Sequence, residues 1–253
     1  MKNTHQPLAG QVAVISGGAG DIGRAIARVL HAQGARVALG DVQATAVARR
    51  RVRGHHYTEV DVADAGAVEQ WLARVTDEVG PPTLIIPNAA VVELGRSLAT
   101  STAAWRRTLD VNLTGAFLLA QLAARQLVAA RKTGRIIFVG SWAAEAPHPQ
   151  LVAYSAAKAG LRMAMQCLAL ELAVHDILVN EIAPGRVDAG LSRQLFDKTP
   201  GFRERARDGV PLRRLLDPAD VANGVAYLCR PDNVQMTGTV LLLDGGLSLV
   251  RAV

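Results

Sequence analysis

A serine, a tyrosine and a lysine lie close together between Ser141 and Lys158, in the stretch SWAAEAPHPQLVAYSAAK. Tyr154 and Lys158 are four apart in LVAYSAAKAGLRMAMQCLALELA, a mostly apolar run that predicts a long helix. Residues at i and i+4 share a helix face, so the phenol and the ammonium point the same way. An ammonium beside a phenol favours the phenolate and lowers a pKa that starts near ~10. The pattern predicts a general base usable near neutral pH. Ser141 follows the apolar run IIFVG, at the C-terminal end of an expected buried strand. In an open α/β sheet that edge is where ligands bind. The only lysines are Lys2, Lys132, Lys158 and Lys198, in a chain that otherwise uses arginine, so a lysine inside an apolar helix calls for a reason.

The elements that would position this trio alternate along the chain. QVAVIS (11–16) reads as a buried strand, GGAGDIG as a tight turn, RAIARVLHAQG as an amphipathic helix stopped by Gly34, and ARVALGD as a second strand. A strand, a glycine turn and a helix make a nucleotide-binding unit: glycines admit a phosphate close to the backbone, and the helix N-terminus faces it. Asp41 ends the second strand, 18 residues beyond Gly23, near the ~20 expected of an acid that binds the adenosine ribose. HHYTEVDV predicts a third strand ending at Asp61 and Val62, PPTLIIPNAAVVELG a fourth strand and its loop, GRIIFVG a fifth, HDILVNEIAPG a sixth and MTGTVLLLDGG a last. Between the fourth and fifth, residues 101–132 read as one helical stretch with Asn112 inside it, a poor helix-interior residue. Residues 188–216 are polar, arginine-rich and irregular, as expected of a mobile lid over a substrate. The alternation predicts a doubly wound parallel sheet with helices on both faces, in one domain spanning 1–253.

Taken together, Ser141, Tyr154-x-x-x-Lys158 and the glycine turn resemble the short-chain dehydrogenase/reductase family. Ser16-Gly17-Gly18-Ala19-Gly20-Asp21-Ile22-Gly23 is similar to the classical branch's T-G-x-x-x-G-x-G, with Ser16 for threonine and Asp21 for the middle glycine. Gly18, Gly20 and Gly23 also fit G-x-G-x-x-G, the spacing of the extended branch, whose longer chains carry a C-terminal substrate domain; the chain is read as classical with a departure. Asp21 is expected to cap the following helix. Asn88-Ala89-Ala90 resembles the family's N-A-G, and Asn180, Pro184 and Gly185 its N-x-x-x-P-G. The resemblance implies strand order 3-2-1-4-5-6-7 and a homotetramer held by the helices around 113–130 and 152–174 and by the C-terminal strand.

The resemblance also implies roles. Tyr154 is the general acid/base, Ser141 binds the reacting oxygen, Lys158 holds the nicotinamide ribose, and Asn112 orders a water on the proton relay; an asparagine bonded to nearby backbone is the plainer reading of Asn112. Cofactor contacts fall to Ser16, Gly17, Asp21, Ile22, Gly23, Asp41, Val42, Asp61, Val62, Asn88, Ala89, Tyr154, Lys158, Pro184, Gly185 and Val187. Asp41 favours NAD, since a carboxylate repels the 2′-phosphate of NADP; Arg24 and the arginines from Arg49 onward argue the other way. The expected reaction interconverts a secondary alcohol and a ketone. The alternatives are an NADPH-dependent 3-oxoacyl-carrier-protein reductase, whose carrier-docking arginines correspond to Lys132 and His175 here, and a non-catalytic binding protein on the same fold. Trp142, Glu145, His148 and Gln150 are candidate substrate contacts, and Arg186 and Arg193 candidate anion selectors; each has an equally plain reading as packing or surface charge.

Bulk properties narrow the field. At 253 residues and 50% hydrophobic, the chain suits a full α/β core. No apolar run approaches the ~20 residues of a membrane span, and the leader MKNTHQPLAG has no apolar signal core. The net charge of +6 comes with arginine clusters at 49–53 and 203–214, but no interleaved aromatics or nucleic-acid motif accompany them. Cys167 and Cys229 form no metal or redox pattern and read as buried thiols of a cytoplasmic protein.

Overall fold

The computed structural model describes residues 6–48, 50–190, 192–193, 196 and 200–250. Lys2, Arg49 and Lys198, and parts of the leader and of 188–216, lie outside the described residues. Seven strands form a parallel sheet in the order β3-β2-β1-β4-β5-β6-β7: β1 (Val12–Ser16), β2 (Arg36–Asp41), β3 (His56–Glu59), β4 (Leu84–Ile86), β5 (Gly134–Val139), β6 (Ile177–Pro184) and β7 (Val240–Leu243). The order reverses between β1 and β4, so the crevice beyond their C-terminal ends is the switch point at which such sheets bind ligands. β1 is buried along its whole length, which is why VAVI is continuously apolar rather than alternating.

Helices cover both faces. α1 (Asp21–Ala32) and α8 (Pro218–Cys229) pack together on one side. α1 presents Ala25, Ile26 and Leu30 to the core. α8 starts where the sequence signals it: Asp217 accepts from Ala219 N, Asp220 returns the bond to Asp217 N, and Pro218 occupies the first turn. On the other side lie α3 (Ala65–Glu78), α5 (Ala116–Ala129) and α6 (Val152–Leu172). The short α2 (Thr45–Ala48) and α7 (Phe202–Asp208) lie in connections. Gly40 shows how tightly the second layer sits: a Cβ there would come within 2.8 Å of the Trp71 ring, which is buried on α3.

Several local expectations need correction. β3 stops at Glu59, before Asp61 and Val62, because it pairs only with β2, which ends at Asp41. The 101–132 stretch is not one regular helix. α4 (Thr102–Leu109) runs into a π-turn over Asp110–Gly115 before α5 begins. Gly115 there fits against Val62, where a Cβ would overlap the Val62 backbone. The region 188–216 is not wholly irregular, since it contains α7, and Cys167 is exposed on α6 rather than buried; only Cys229 is buried. Among the described residues no helix is long and apolar enough to cross a membrane.

Candidate active site

A cavity of about 370 Å³ opens along the C-terminal ends of β1, β4, β5 and β6. The glycine turn forms one wall: Gly17, Gly20, Asp21, Ile22 and Gly23 line it, with Asp41 beside them. Gly17 has φ +63°, and a Cβ on Gly23 would overlap the Gly17 carbonyl, so this turn closes only with glycine at both positions. The first-turn N–H groups of α1 have no intrahelical partner and Gly20 offers no side-chain cap, which leaves donors facing the cavity. That donor set, with no side chain filling the cradle, fits the pyrophosphate of a dinucleotide.

Asp21 does not cap α1. Its carboxylate crosses to the segment after β6 and accepts from Gly190 N at 2.9 Å, with Arg24 at 2.5 Å and Arg193 at 3.6 Å. The Gly190 N–H first, and then the two guanidinium groups, hold its carboxyl below the usual value against the effect of burial. Two cations therefore offset the charge that would repel a phosphate. Arg193 is also tied to Asp188.

Ser16 is buried and turned away from the cavity. Its hydroxyl accepts from Asn88 N at 3.0 Å and Ala89 N at 3.1 Å, while the Asn88 amide donates to Ser16 O at 2.8 Å. The pair stitches β1 to the loop after β4, and Asn88, Ala89 and Ala90 then line the cavity. Ala90 is not among the positive-φ residues, so the turn forms without the family's glycine. Asp41 accepts from Ala19 N at 3.0 Å and Gln43 N at 3.1 Å, which aims its carboxylate along the glycine turn. Val42, Asp61 and Val62 do not line the cavity: Val42 is exposed, Asp61 accepts from Ala63 N, and Val62 packs on Gly115.

Ser141, Tyr154 and Lys158 meet at the far wall, with Pro184, Gly185 and Val187 opposite. Ser141 Oγ accepts from Ala143 N at 3.1 Å, so its own proton is free to be donated toward the neighbouring Tyr154 phenol. The expectation that Lys158 depresses the phenol needs correction. Burial pushes Tyr154 up, the bond to Ser141 opposes this, and the Glu181 carboxylate adds to the rise. Lys158 Nζ sits 5.7 Å from the ring centroid and donates instead to Val139 O at 2.8 Å. Burial pushes the Lys158 ammonium itself down to about 8.

Asn112 is fully buried in the π-turn, outside the cavity lining. Its amide accepts from Val91 N and donates to Val91 O, both at 2.8 Å, which ties the π-turn to the loop after β4. Of the candidate substrate contacts, Trp142 and His148 pack edge to face at 4.1 Å, Glu145 bonds Arg162, and Gln150 O accepts from Gly95 N. None of these four lines the cavity that Ser141, Tyr154 and Lys158 share. Arg186 donates to Ala206 O at 2.8 Å.

Two residues the sequence reading passed over stand behind the trio. Glu181 is 1% exposed in β6 and forms an ion pair with Arg162 of α6 at 3.0 Å. Both left a signal: an acid inside the apolar run ILVNEIAP needs a partner, and Arg162 lies one turn beyond Lys158 on the Tyr154 face.

This sheet order, glycine turn and Ser–Tyr–Lys wall define a nicotinamide-type dehydrogenase fold, and the comparisons with known proteins agree. A family model described as Enoyl-(Acyl carrier protein) reductase matches residues 17–248. The chain belongs to the short-chain dehydrogenase/reductase family, in its classical branch. It is 32% identical to 2,3-dihydro-2,3-dihydroxybenzoate dehydrogenase of Bacillus subtilis, covering 96% of this chain and 97% of that one. It is 30% identical to a 3-oxoacyl-acyl-carrier-protein reductase of Mycobacterium bovis, over 96% and 95% of the two chains. Among solved structures, a short-chain type dehydrogenase/reductase from Mycobacterium marinum superposes with TM-score 0.88 at 29% identity, over 95% and 96% of the chains.

Proposed function

We propose that the chain is an NAD(H)-dependent oxidoreductase that interconverts a secondary alcohol and a ketone, with Tyr154 as general acid/base. The observation that carries this reading is the convergence of Ser141, Tyr154 and Lys158 on the same cavity as the glycine turn and Asp41. The cofactor, when bound, supplies the hydride acceptor or donor. The Gly17–Gly23 turn would hold its pyrophosphate, Asp41 its adenosine ribose, and Lys158 its nicotinamide ribose. Ser141 donates to the substrate oxygen, and Tyr154 gives or takes its proton. The raised phenol is protonated at neutral pH, the form that delivers a proton to a carbonyl oxygen. Oxidation needs the phenolate and gains as pH rises. The 188–216 segment, tied to Asp21 through Gly190 and Arg193, serves as the lid, and the protein works in the cytoplasm.

Binding of NADH and NADPH, followed by fluorescence with Asp41→Ala alongside, tests the cofactor. NADH is expected to bind at least about tenfold more tightly, a difference of ~1.4 kcal/mol, and Asp41→Ala is expected to erase it. Binding of neither cofactor would sink the enzyme reading.

A second reading, an NADPH-dependent 3-oxoacyl-carrier-protein reductase, is favoured by the mycobacterial relative. Asp41 at the ribose end argues against it, and exposed Lys132 and His175 supply only part of the charge that would greet an acidic carrier. Tighter binding of NADPH than of NADH would reverse this ranking.

The protein also self-associates in this reading. α6 leaves Met163 and Leu170 exposed, and Val174 just beyond them is 84% exposed. The same holds for Tyr227 on α8 and Leu242 on β7. Sedimentation equilibrium is expected to give four times the 26.8 kDa of one chain; a mass of one chain overturns the assembly.

A further inference from the structure

Tyr154, Lys158 and Arg162 follow one another at i, i+4 and i+8, so they form a stripe along α6. The first two are absorbed by the proposed chemistry. The third reaches behind them, and so does the acid it meets. We propose that Arg162 and Glu181 are positioning residues of the proton-transfer site: the guanidinium fixes the turn that presents Ser141, and the ion pair holds a buried negative charge at a set place behind Tyr154 and Lys158. The inference rests on the reading of Tyr154 as the acid/base group.

The geometry around Glu181 is built to admit a carboxylate. It lies in the interior of β6, where an unpaired acid would be driven to neutralise. Arg162 Nε donates to Oε2 and a terminal nitrogen donates to Oε1, both at 3.0 Å, a two-pronged contact that fixes both groups. Gly140 faces it across the β5–β6 pair, and a Cβ at that position would overlap Oε1. The glycine just before Ser141 is thus required by the acid on the neighbouring strand.

The same guanidinium continues to the catalytic turn. The nitrogen that serves Oε1 also donates to Ser141 O at 3.3 Å, and the other terminal nitrogen bonds Glu145 at 2.5 Å, four residues further along the loop. Arg162 therefore holds both ends of the turn whose first residue is the candidate oxygen-binding serine. The Glu181 charge is felt on both proton-transfer partners, where it raises Tyr154 and raises Lys158. Among the described residues, Arg106, Arg107 and Asp110 of the α4 segment and Arg125 of α5 make no ion pair with this set. Arg135 on β5 turns to the carbonyls of Arg230, Pro231 and Asn233.

The test is a titration of the Tyr154 phenolate by absorbance. The chain has three tyrosines, and subtracting the matching Tyr154→Phe protein isolates one of them. Glu181→Gln removes the negative charge and is expected to move the Tyr154 midpoint down by about one unit or more. Arg162→Gln leaves the carboxylate without its cation and is expected to move the midpoint up by a smaller amount, because Glu181 and not Arg162 acts directly on the phenol. Arg162→Lys keeps the charge and is expected to fall nearer the wild type than Arg162→Gln does. Midpoints that stay put in both Gln variants, or move the same way in both, overturn the proposal. Where a single variant lacks the wild-type circular dichroism, the double variant Arg162→Met, Glu181→Leu decides. It removes both charges while keeping bulk, and a midpoint below the wild type supports the proposal whereas an unmoved one overturns it. Phenolate absorbance needs neither substrate nor cofactor, so this outcome is separate from a failure of the oxidoreductase reading, which would show as no NADH binding.

Discussion

Tyr154→Phe is expected to lower kcat for ketone reduction by about 10²–10⁴-fold, the range that a positioned acid/base group supplies, while NADH affinity stays within about twofold of the wild type. Only one oxygen atom is removed. The ring remains against Lys158, and the cofactor wall of Gly17, Ile22 and Asp41 is untouched, because it lies across the cavity. Ser141 keeps its bond from Ala143 N and so keeps its orientation toward the reacting oxygen. The loss should therefore fall on kcat and not on the binding of NADH. Steady-state kinetics beside a fluorescence titration separates the two quantities. A variant that turns over at the wild-type rate would remove Tyr154 from the chemistry and leave a binding protein on a dehydrogenase fold.

Much of this site could be read from the chain because its parts are local. Tyr154 and Lys158 lie one helical turn apart, and the strand–glycine turn–helix unit is contiguous, so spacing alone placed them. The alternation of strands and helices pointed to a doubly wound parallel sheet, and the strand order came with the family resemblance. What stayed hidden depends on contacts between distant segments. Asp21 reads as a helix cap in the sequence, yet its carboxylate bonds Gly190, 169 residues away. Arg162 and Glu181 find each other only when α6 packs on β6. The direction of the Tyr154 shift was misread for a related reason. Helical spacing shows that Lys158 is near the phenol, but burial and the position of Glu181 decide which form is favoured, and both are properties of the packed core. The break at Asn112 was visible as a poor helix residue, whereas its closure on Val91 was not, because the partner lies in the loop after β4.

Lys158→Met is expected to change stability in a pH-dependent way that identifies the buried charge. The Lys158 ammonium has an ordinary value of 10.5 and is pushed down to about 8 in the folded protein, where it is 2% exposed. A depressed folded value contributes stability that is fully present above the unfolded value and is lost as pH falls through the folded one. Wild-type protein therefore carries the cost of a buried ammonium at about pH 7 and is relieved of it as pH rises from about 8 toward 10.5. Methionine has a similar length and no charge, so the variant lacks this dependence. Relative to Lys158→Met, the wild type should gain roughly 2 kcal/mol between about pH 7 and about pH 9.5, at ~1.4 kcal/mol per unit. The bond from Lys158 to Val139 O is lost in the variant at every pH, which sets a constant offset without a slope. Cys229, pushed up to about 12, titrates in both proteins and cancels. Urea midpoints at the two pH values measure the change. A stability difference that is flat with pH, or that widens in favour of methionine as pH rises, would show that Lys158 is not held as a strained charge. The expected slope instead means that the fold tolerates a costly ammonium at the one place where the cavity wall, the phenol and the serine converge.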